Sequence, residues 1–348
     1  MRVQLRLTPE NLPDYLWNRG LAGRGEAVRV EEAGDGNINW VRRIRLGAGE
    51  RTLIVKQARP ALERFPEYEV TTERVVFEAR YYETVRPFDR TGVCPRVLDF
   101  DEAERVLVLE DLGDAPRLDH VLDRDGDPAR AAEAGVALGA FLGAVHAGTG
   151  GRADLAARFA NDDMRRLHGD HIFDLPFRAN AFALSPVLRA RAETIWRDEH
   201  VVAHARDAYE RYLVPAGVLV HADVQGGNVL LQAQGPRLLD AEIAHVGSGA
   251  FDIGILLAHL VVSAAARGDT GCSRPVIERT WRAYVEHRAG ARAPAFEEAI
   301  RYAGIELLRR TLGAARVAAV ASDAAGLAAS DLGLRWLATP PARAAEAV

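Results

Sequence analysis

The sequence predicts an α+β chain in two lobes, a small antiparallel β-rich one followed by a larger, mainly helical one. Three observations predict it. Short β-branched runs separated by Gly-containing turns occupy residues 28–57 and recur at 97–109. Ala- and Leu-rich stretches of helical length dominate the remainder. The chain has 348 residues, enough for two domains or one large two-lobed unit. We expect the smaller lobe over residues 1–112 and the larger over 113–348.

Taken in order, residues 8–20 read as a short helix with Thr8 as N-cap and Pro9 in the first helical position. Strands follow at 28–32, 39–46 and 51–57, punctuated by Gly-Asp-Gly and Gly-Ala-Gly-Glu in the manner of an antiparallel meander. In residues 69–86, Val70, Val76, Phe77 and Tyr81 recur at near-helical spacing, so one long helix is inserted after the third strand. Two more strands, 97–100 and 105–109, end at Glu110-Asp111-Leu112. Beyond them a helix is expected at 128–147 and another at 186–212. Short strands at 218–220, 228–232 and 237–239 flank a polar loop. Helices dominate after Phe251, and the last ten residues, TPPARAAEAV, are expected to fray.

Composition excludes several classes. The 44 basic and 49 acidic residues leave a formal charge of −5, which argues against a nucleic-acid coat or a basic membrane-surface protein. Only Cys94 and Cys272 occur, so neither a disulfide scaffold nor a Cys-type zinc site is expected, and a reducing compartment fits. The opening residues are charged and lack the apolar core of a secretory signal. The longest apolar run, 255–266, is interrupted by His259 and is short for a bilayer span, so it reads as a buried helix. A cytoplasmic location is expected, with no nucleic-acid or membrane partner.

One count is more informative than the totals. Of the 44 basic residues a single one is lysine, Lys56. In a chain that uses arginine wherever either cation serves, the surviving lysine marks a position where a guanidinium does not substitute. The competing reading is an accident of coding bias.

The densest chemical signal is His221-Ala222-Asp223-Val224-Gln225-Gly226-Gly227-Asn228 between two apolar strands, followed by Asp240-Ala241-Glu242. Asp and Asn five residues apart on a tight loop, with a second Asp past the next strand, suit phosphoryl transfer. Asp223 would face the attacking hydroxyl, while Asn228 and Asp240 would hold Mg²⁺ on the nucleotide phosphates. Lys56 closes the third strand of the small lobe, where a kinase carries its phosphate-binding lysine. Glu78 on the following helix is its expected ion-pair partner, with Glu73 and Glu83 as competitors.

The set Lys56, Glu78, His221-x-Asp223-x4-Asn228 and Asp240 resembles the aminoglycoside phosphotransferase and choline kinase-like superfamily. Within it the chain is most similar to the 5-methylthioribose kinases. The matching pieces include EAGDGNIN at 32–39, LIVKQA at 53–58, LEDL at 109–112, GAFDIG at 249–254 and RRTLG at 309–313. The resemblance implies a protein kinase-like bilobal fold and transfer of a γ-phosphate from ATP, or another nucleoside triphosphate, to a hydroxyl of a small sugar-like substrate. It implies a phosphate-covering loop with Gly36, Asn37 and Asn39, and a hinge at Glu110 and Leu112 that meets adenine. Glu242 would join the metal ligands, and Arg309 and Arg310 would hold the substrate, with one of the two facing it. His221 and Asp252 would be structural supports of the catalytic loop. Two departures are visible: Ala222 stands where the methylthioribose kinases carry Gly, and Asn228 where they carry a small hydroxyl residue.

Alternatives remain for several of these. A solvated helix face competes for Arg309 and Arg310 in so arginine-rich a chain. His168-Gly169-Asp170-His171 mimics the catalytic His-x-Asp but lacks an Asn five residues after its Asp, and is expected to be a surface loop. An antibiotic-modifying phosphotransferase is the alternative enzyme, and a catalytically inactive kinase-like binding module the alternative class. Self-association as a homodimer stays open.

Overall fold

Side-chain alternation and turn chemistry build the first part of the molecule. The computed structural model describes residues 4–33, 39–49, 51–61 and 69–347. Its contacts divide the chain into two units, Met1–Thr84 with Cys94–Asp114, and Val85–Val93 with Ala115–Val348.

The first unit contains α1 (Leu12–Asn18), β1 (Val28–Glu32), β2 (Trp40–Leu46), β3 (Arg51–Gln57), α2 (Arg74–Val85, ending at the unit's edge), β4 (Val97–Asp101) and β5 (Val106–Glu110). The strands form one antiparallel sheet in the order β1-β2-β3-β5-β4. The first three strands make the expected meander, but the last two do not extend it in sequence. β5, whose Val106, Leu107 and Val108 are fully buried, takes the inner position beside β3 and leaves β4 at the edge. On one face Leu53 and Val55 of β3 join Val106, Val108, Trp40 and Leu16 in an apolar cluster. Period-two alternation turns Lys56 to the other face.

α1 begins later than the sequence suggested. Thr8 and Asn11 bond reciprocally, the Thr8 N–H to Asn11 Oδ1 at 2.8 Å and the Asn11 N–H to Thr8 Oγ1 at 3.4 Å. That closes residues 9–11 into a turn, and Pro13, not Pro9, lies in the first helical turn.

The second unit contains α3 (Leu118–Asp125), α4 (Pro128–Thr149), α5 (Ala153–Arg158), α6 (Asp162–Gly169), α7 (Pro186–Arg197), α8 (Glu199–Tyr212), β6 (Val218–Val220), β7 (Val229–Gln232), β8 (Gly235–Leu238), β9 (His245–Gly247), α9 (Gly249–Ala266), α10 (Ser273–Glu286), α11 (Phe296–Leu312) and α12 (Asp323–Ala338). Two short antiparallel pairs, β6–β9 and β7–β8, frame the polar loop 221–228. α4 packs on α10, and α11 lies against both α9 and α12. α4 and α10 approach so closely that a Cβ on Gly143 would collide with the Tyr284 carbonyl. α4 and α9 are long and apolar enough to cross a membrane, yet 61% and 94% of their most apolar windows are buried within the fold, as in core helices.

Two expectations are corrected here, and one strand is added. The single helix at 186–212 is two helices, because Asp198 leaves helical geometry and caps α8, accepting from the His200 and Val201 N–H groups at 3.0 and 3.1 Å. β9 was not foreseen; its three residues carry too little periodicity to read. The C-terminal tail is tied down, with Trp336 Nε1 donating to the Ala347 carbonyl at 2.7 Å in a buried setting.

Candidate functional site

In the first unit, Lys56 lies on the central strand β3, flanked in register by Val41 on β2 and Leu107 on β5. Its Nζ is 2.7 Å from Glu78 Oε2 on α2, and both side chains are almost wholly buried. The Tyr82 hydroxyl donates to Glu78 Oε1 at 3.1 Å, one helical turn on. Glu73 instead pairs with Arg105. A buried ion pair costs desolvation and adds little net stability, so its presence in a small sheet points to geometry as its use. Asn39 Oδ1 accepts from the buried Arg74 Nε at 2.9 Å, tying the start of β2 to α2. The Glu110 carboxylate accepts from Arg96 N and Nε at 3.0 and 2.9 Å, and Leu112 is half-buried just beyond β5. Gly36 and Asn37 lie outside the described residues.

In the second unit the loop after β6 hangs from one buried carboxylate. Asp252, in the first turn of α9, accepts from the His221 N–H on Oδ2 and the Ala222 N–H on Oδ1, both at 2.8 Å, and His146 Nε2 is 3.2 Å from Oδ2. Burial alone would push the Asp252 carboxyl up, but His146 and the backbone donor of His221 outweigh it and hold it below the usual range. With its backbone so fixed, Ala222 adopts φ 69°, a left-handed conformation that glycine takes freely and a residue with a Cβ only at a cost. The Asp223 N–H then donates to His221 Nδ1 at 3.3 Å.

Asp223 has two oxygens in different surroundings. Oδ2 accepts from Asn228 Nδ2 at 2.7 Å and from Gln225 Nε2 at 3.0 Å, while Asn228 also donates to the Asp223 carbonyl at 3.0 Å. Oδ1 has no hydrogen-bond donor among the described residues. Gln225 was not singled out by the sequence; an amide in a polar loop carries no distinguishing pattern. Past β8, Asp240 is exposed and adopts φ 63°, and it and the buried Glu242 offer carboxylate oxygens within 4.8 Å of each other. Strained backbone of this kind concentrates at functional sites. Asn161 Nδ2 donates to the Glu242 carbonyl at 2.8 Å and fixes that turn.

Arg309 and Arg310 are both buried on α11 and both turn toward Glu306, three and four residues earlier. Arg309 Nη1 is 3.1 Å from Glu306 Oε2, Arg310 Nε is 2.6 Å from Oε1, and His259 Nε2 is 3.0 Å from the same Oε1. The solvated-face reading of this pair is excluded. Burial would raise the Glu306 carboxyl, yet the two guanidinium groups hold it well below its ordinary range. Asp223 in turn is close enough to act electrostatically on Arg309.

The structure overturns the expectation for His168. It is 8% exposed at the end of α6, not on a surface loop, and its Nε2 lies 3.8 Å from Asp223 Oδ1. The signal was present in His168-Gly169-Asp170, which mimics His221-Ala222-Asp223, but its proximity to Asp223 is made by tertiary folding, which spacing does not encode.

Comparison with known proteins finds similarity along most of the chain. The model of the phosphotransferase enzyme family matches residues 29–300. A methylthioribose kinase of Geobacillus kaustophilus (strain HTA426) is 29% identical over 332 residues, covering 86% of this chain and 82% of the relative. One from Bacillus mycoides (strain KBAB4) is 27% identical, covering 90% and 86%. Among solved structures, a choline kinase from Cryptosporidium parvum Iowa II aligns with TM-score 0.53 at 13% identity, over 92% of this chain and 94% of its own. An ethanolamine kinase from Plasmodium vivax aligns with TM-score 0.51 at 11% identity, over 94% and 89%. At these identities the solved structures establish the shared kinase-like α+β fold.

Proposed function

The chain belongs to the phosphotransferase enzyme family, and we propose that it is an ATP-dependent kinase whose acceptor is a hydroxylated sugar of the methylthioribose type. Likeness to methylthioribose kinases along most of both chains supports the acceptor class. The observation that carries the chemistry is Asp223: one oxygen engaged by two amides, the other without a donor among the described residues, on a loop clamped by Asp252. That is how a general base is held still with one lone pair left for a proton.

In the proposed step the acceptor hydroxyl attacks the γ-phosphorus in line with the leaving ADP oxygen. The new O–P bond forms as the bond from phosphorus to the ADP oxygen breaks, and the hydroxyl proton passes to Asp223 Oδ1. Lys56, steadied by Glu78, would hold the α- and β-phosphates, and the backbone at Glu110 and Leu112 would meet adenine. Asn39 is assigned to the nucleotide side through its place at the start of β2. The all-oxygen set of Asp240, Glu242 and the Asn228 amide suits a hard cation, and the closeness of the two carboxylates fits one. When bound, Mg²⁺ would neutralise charge on the phosphates. Arg309 and Arg310, buried with Glu306, would meet sugar hydroxyls or the transferring phosphoryl group. Only two cysteines, far apart in the sequence, fit a reducing and hence cytoplasmic setting.

The test is a turnover panel of methylthioribose, related ribosides and aminoglycoside or nucleoside antibiotics, each with Mg²⁺ and ATP. Methylthioribose-type sugars are expected to dominate; turnover confined to an antibiotic would overturn the acceptor assignment. A polycationic acceptor is disfavoured by Arg309, which is close enough to the base to act on it electrostatically. Asp223→Asn should lower kcat by roughly 10²–10⁴-fold, the usual contribution of a general base, with nucleotide affinity little changed. Near-wild-type turnover in that variant would remove Asp223 from the role.

A further inference from the structure

His168 is a buried polar side chain of the second unit that the mechanism leaves unused. Among the described residues neither of its ring nitrogens has a hydrogen-bond partner, although the ring is more than nine-tenths buried. Nε2 lies 3.8 Å from Asp223 Oδ1, too far for a hydrogen bond between them and close enough for one hydroxyl to reach both. Native proteins rarely bury a polar group unpaired without a use for it.

The surrounding segment holds the ring in place. A Cβ on Gly169 would collide with the Tyr209 ring, so only glycine lets α6 end against α8. The Tyr209 hydroxyl donates to Asp170 Oδ1 at 2.6 Å, and Phe173 stacks on Tyr209 with centroids 5.3 Å apart. Between them, Asp170–Asp174 forms a π-helical turn, a feature that gathers at functional sites. The His168 ring meets Phe251 edge-on at 6.4 Å. Burial, and Arg309 and Arg310 nearby, hold the imidazole well below its ordinary pKa, so it is neutral.

From this geometry we infer that His168 is an acceptor-recognition residue, a ring nitrogen of which hydrogen-bonds a hydroxyl of the small-molecule substrate beside Asp223 Oδ1. This rests on the kinase reading above. A neutral imidazole is a poor partner for a triphosphate and matches a single sugar hydroxyl, able to donate from one nitrogen and accept at the other. A hard cation would go to the carboxylates of Asp240 and Glu242 in preference to one nitrogen. A site built to bond a substrate hydroxyl discriminates sharply against an analogue that lacks it, because its own buried group is then left unpaired.

The experiment compares wild type, His168→Phe and His168→Asn with methylthioribose and with analogues lacking one ring hydroxyl at a time. His168→Phe should raise the acceptor KM by at least about tenfold while the ATP KM moves by less than about twofold. His168→Asn, which restores one hydrogen-bonding group, should fall between. Wild type should discriminate against one deoxy analogue far more than His168→Phe does, an effect that loss of packing alone would not produce. If wild type phosphorylates no hydroxylated sugar, the kinase reading falls and this assignment with it. If wild type is active and His168→Phe keeps its acceptor KM and its discrimination, the assignment to His168 alone is overturned. Should His168→Phe fail to fold, His168→Asn decides: an unchanged acceptor KM overturns the assignment, and a rise of about threefold or more with lost discrimination supports it.

Discussion

At the scale of single residues, Lys56 shows how a count becomes a structural statement. Its stem runs between Val41 and Leu107 on the sheet, and its Nζ ends 2.7 Å from Glu78. A guanidinium at the same position is planar and wider, and it would meet Glu78 with a fork where the pocket holds a point charge. Lys56→Arg is therefore expected to lose at least about tenfold in kcat/KM for ATP, about 1.4 kcal/mol of transition-state stabilisation, although charge is conserved. Steady-state kinetics check it, and an arginine variant within about twofold of wild type would return the lone lysine to coding accident. The pairing of Lys56 with Glu78 and the closeness of Asp223 and Asn228 were legible because residue type and spacing together suggest them. Gln225 and His168 were not: the bond from Gln225 to Asp223 Oδ2 and the approach of His168 to Oδ1 depend on side-chain directions that no spacing rule records.

Among the elements, α9 connects the core to the chemistry. Its buried apolar length anchors Asp252, and the two oxygens of that carboxylate hold consecutive backbone N–H groups of the loop bearing Asp223. Asp252→Asn keeps the shape and turns one acceptor into a donor, which sets an amide N–H against a backbone N–H. The unmet buried donor should cost about 1–3 kcal/mol of unfolding free energy, and kcat should fall because Asp223 loses its fixed backbone. Urea unfolding with parallel kinetics measures both; full stability with full activity would show that the clamp is dispensable. Elements of clear periodicity, such as β1 and β3, match their expected bounds because alternation and glycine turns act locally. The misread ones turn on longer-range effects. Asp198 splits α7 from α8 by capping, and β9, which was missed, exists through pairing with β6.

For the whole molecule, the distribution of histidine sets the response to acid. All 10 histidines follow residue 115, so they belong to the second unit and none to the first. Burial, foremost among the causes, lowers the pKa of His168, His221, His245 and His259, and His245 is held down to about 3. A group with a depressed folded pKa binds its proton more readily in the unfolded chain, so stability is complete above about 6.5 and declines as pH falls below it. From about pH 7 to about pH 5, His245 alone should remove about 2 kcal/mol from the stability of the second unit. The carboxyls of Asp252 and Glu306, also held low, act in the same direction only below the ordinary carboxylate range of about 4. Acid should therefore loosen the two units unequally. Amide hydrogen exchange, corrected for its intrinsic pH dependence, should show β6, β9 and α9 losing protection at about pH 5 while β2, β3 and β5 keep theirs. Equal protection of α9 at both pH values would mean that the buried imidazoles titrate as they do in the unfolded chain, contrary to the desolvation that surrounds them.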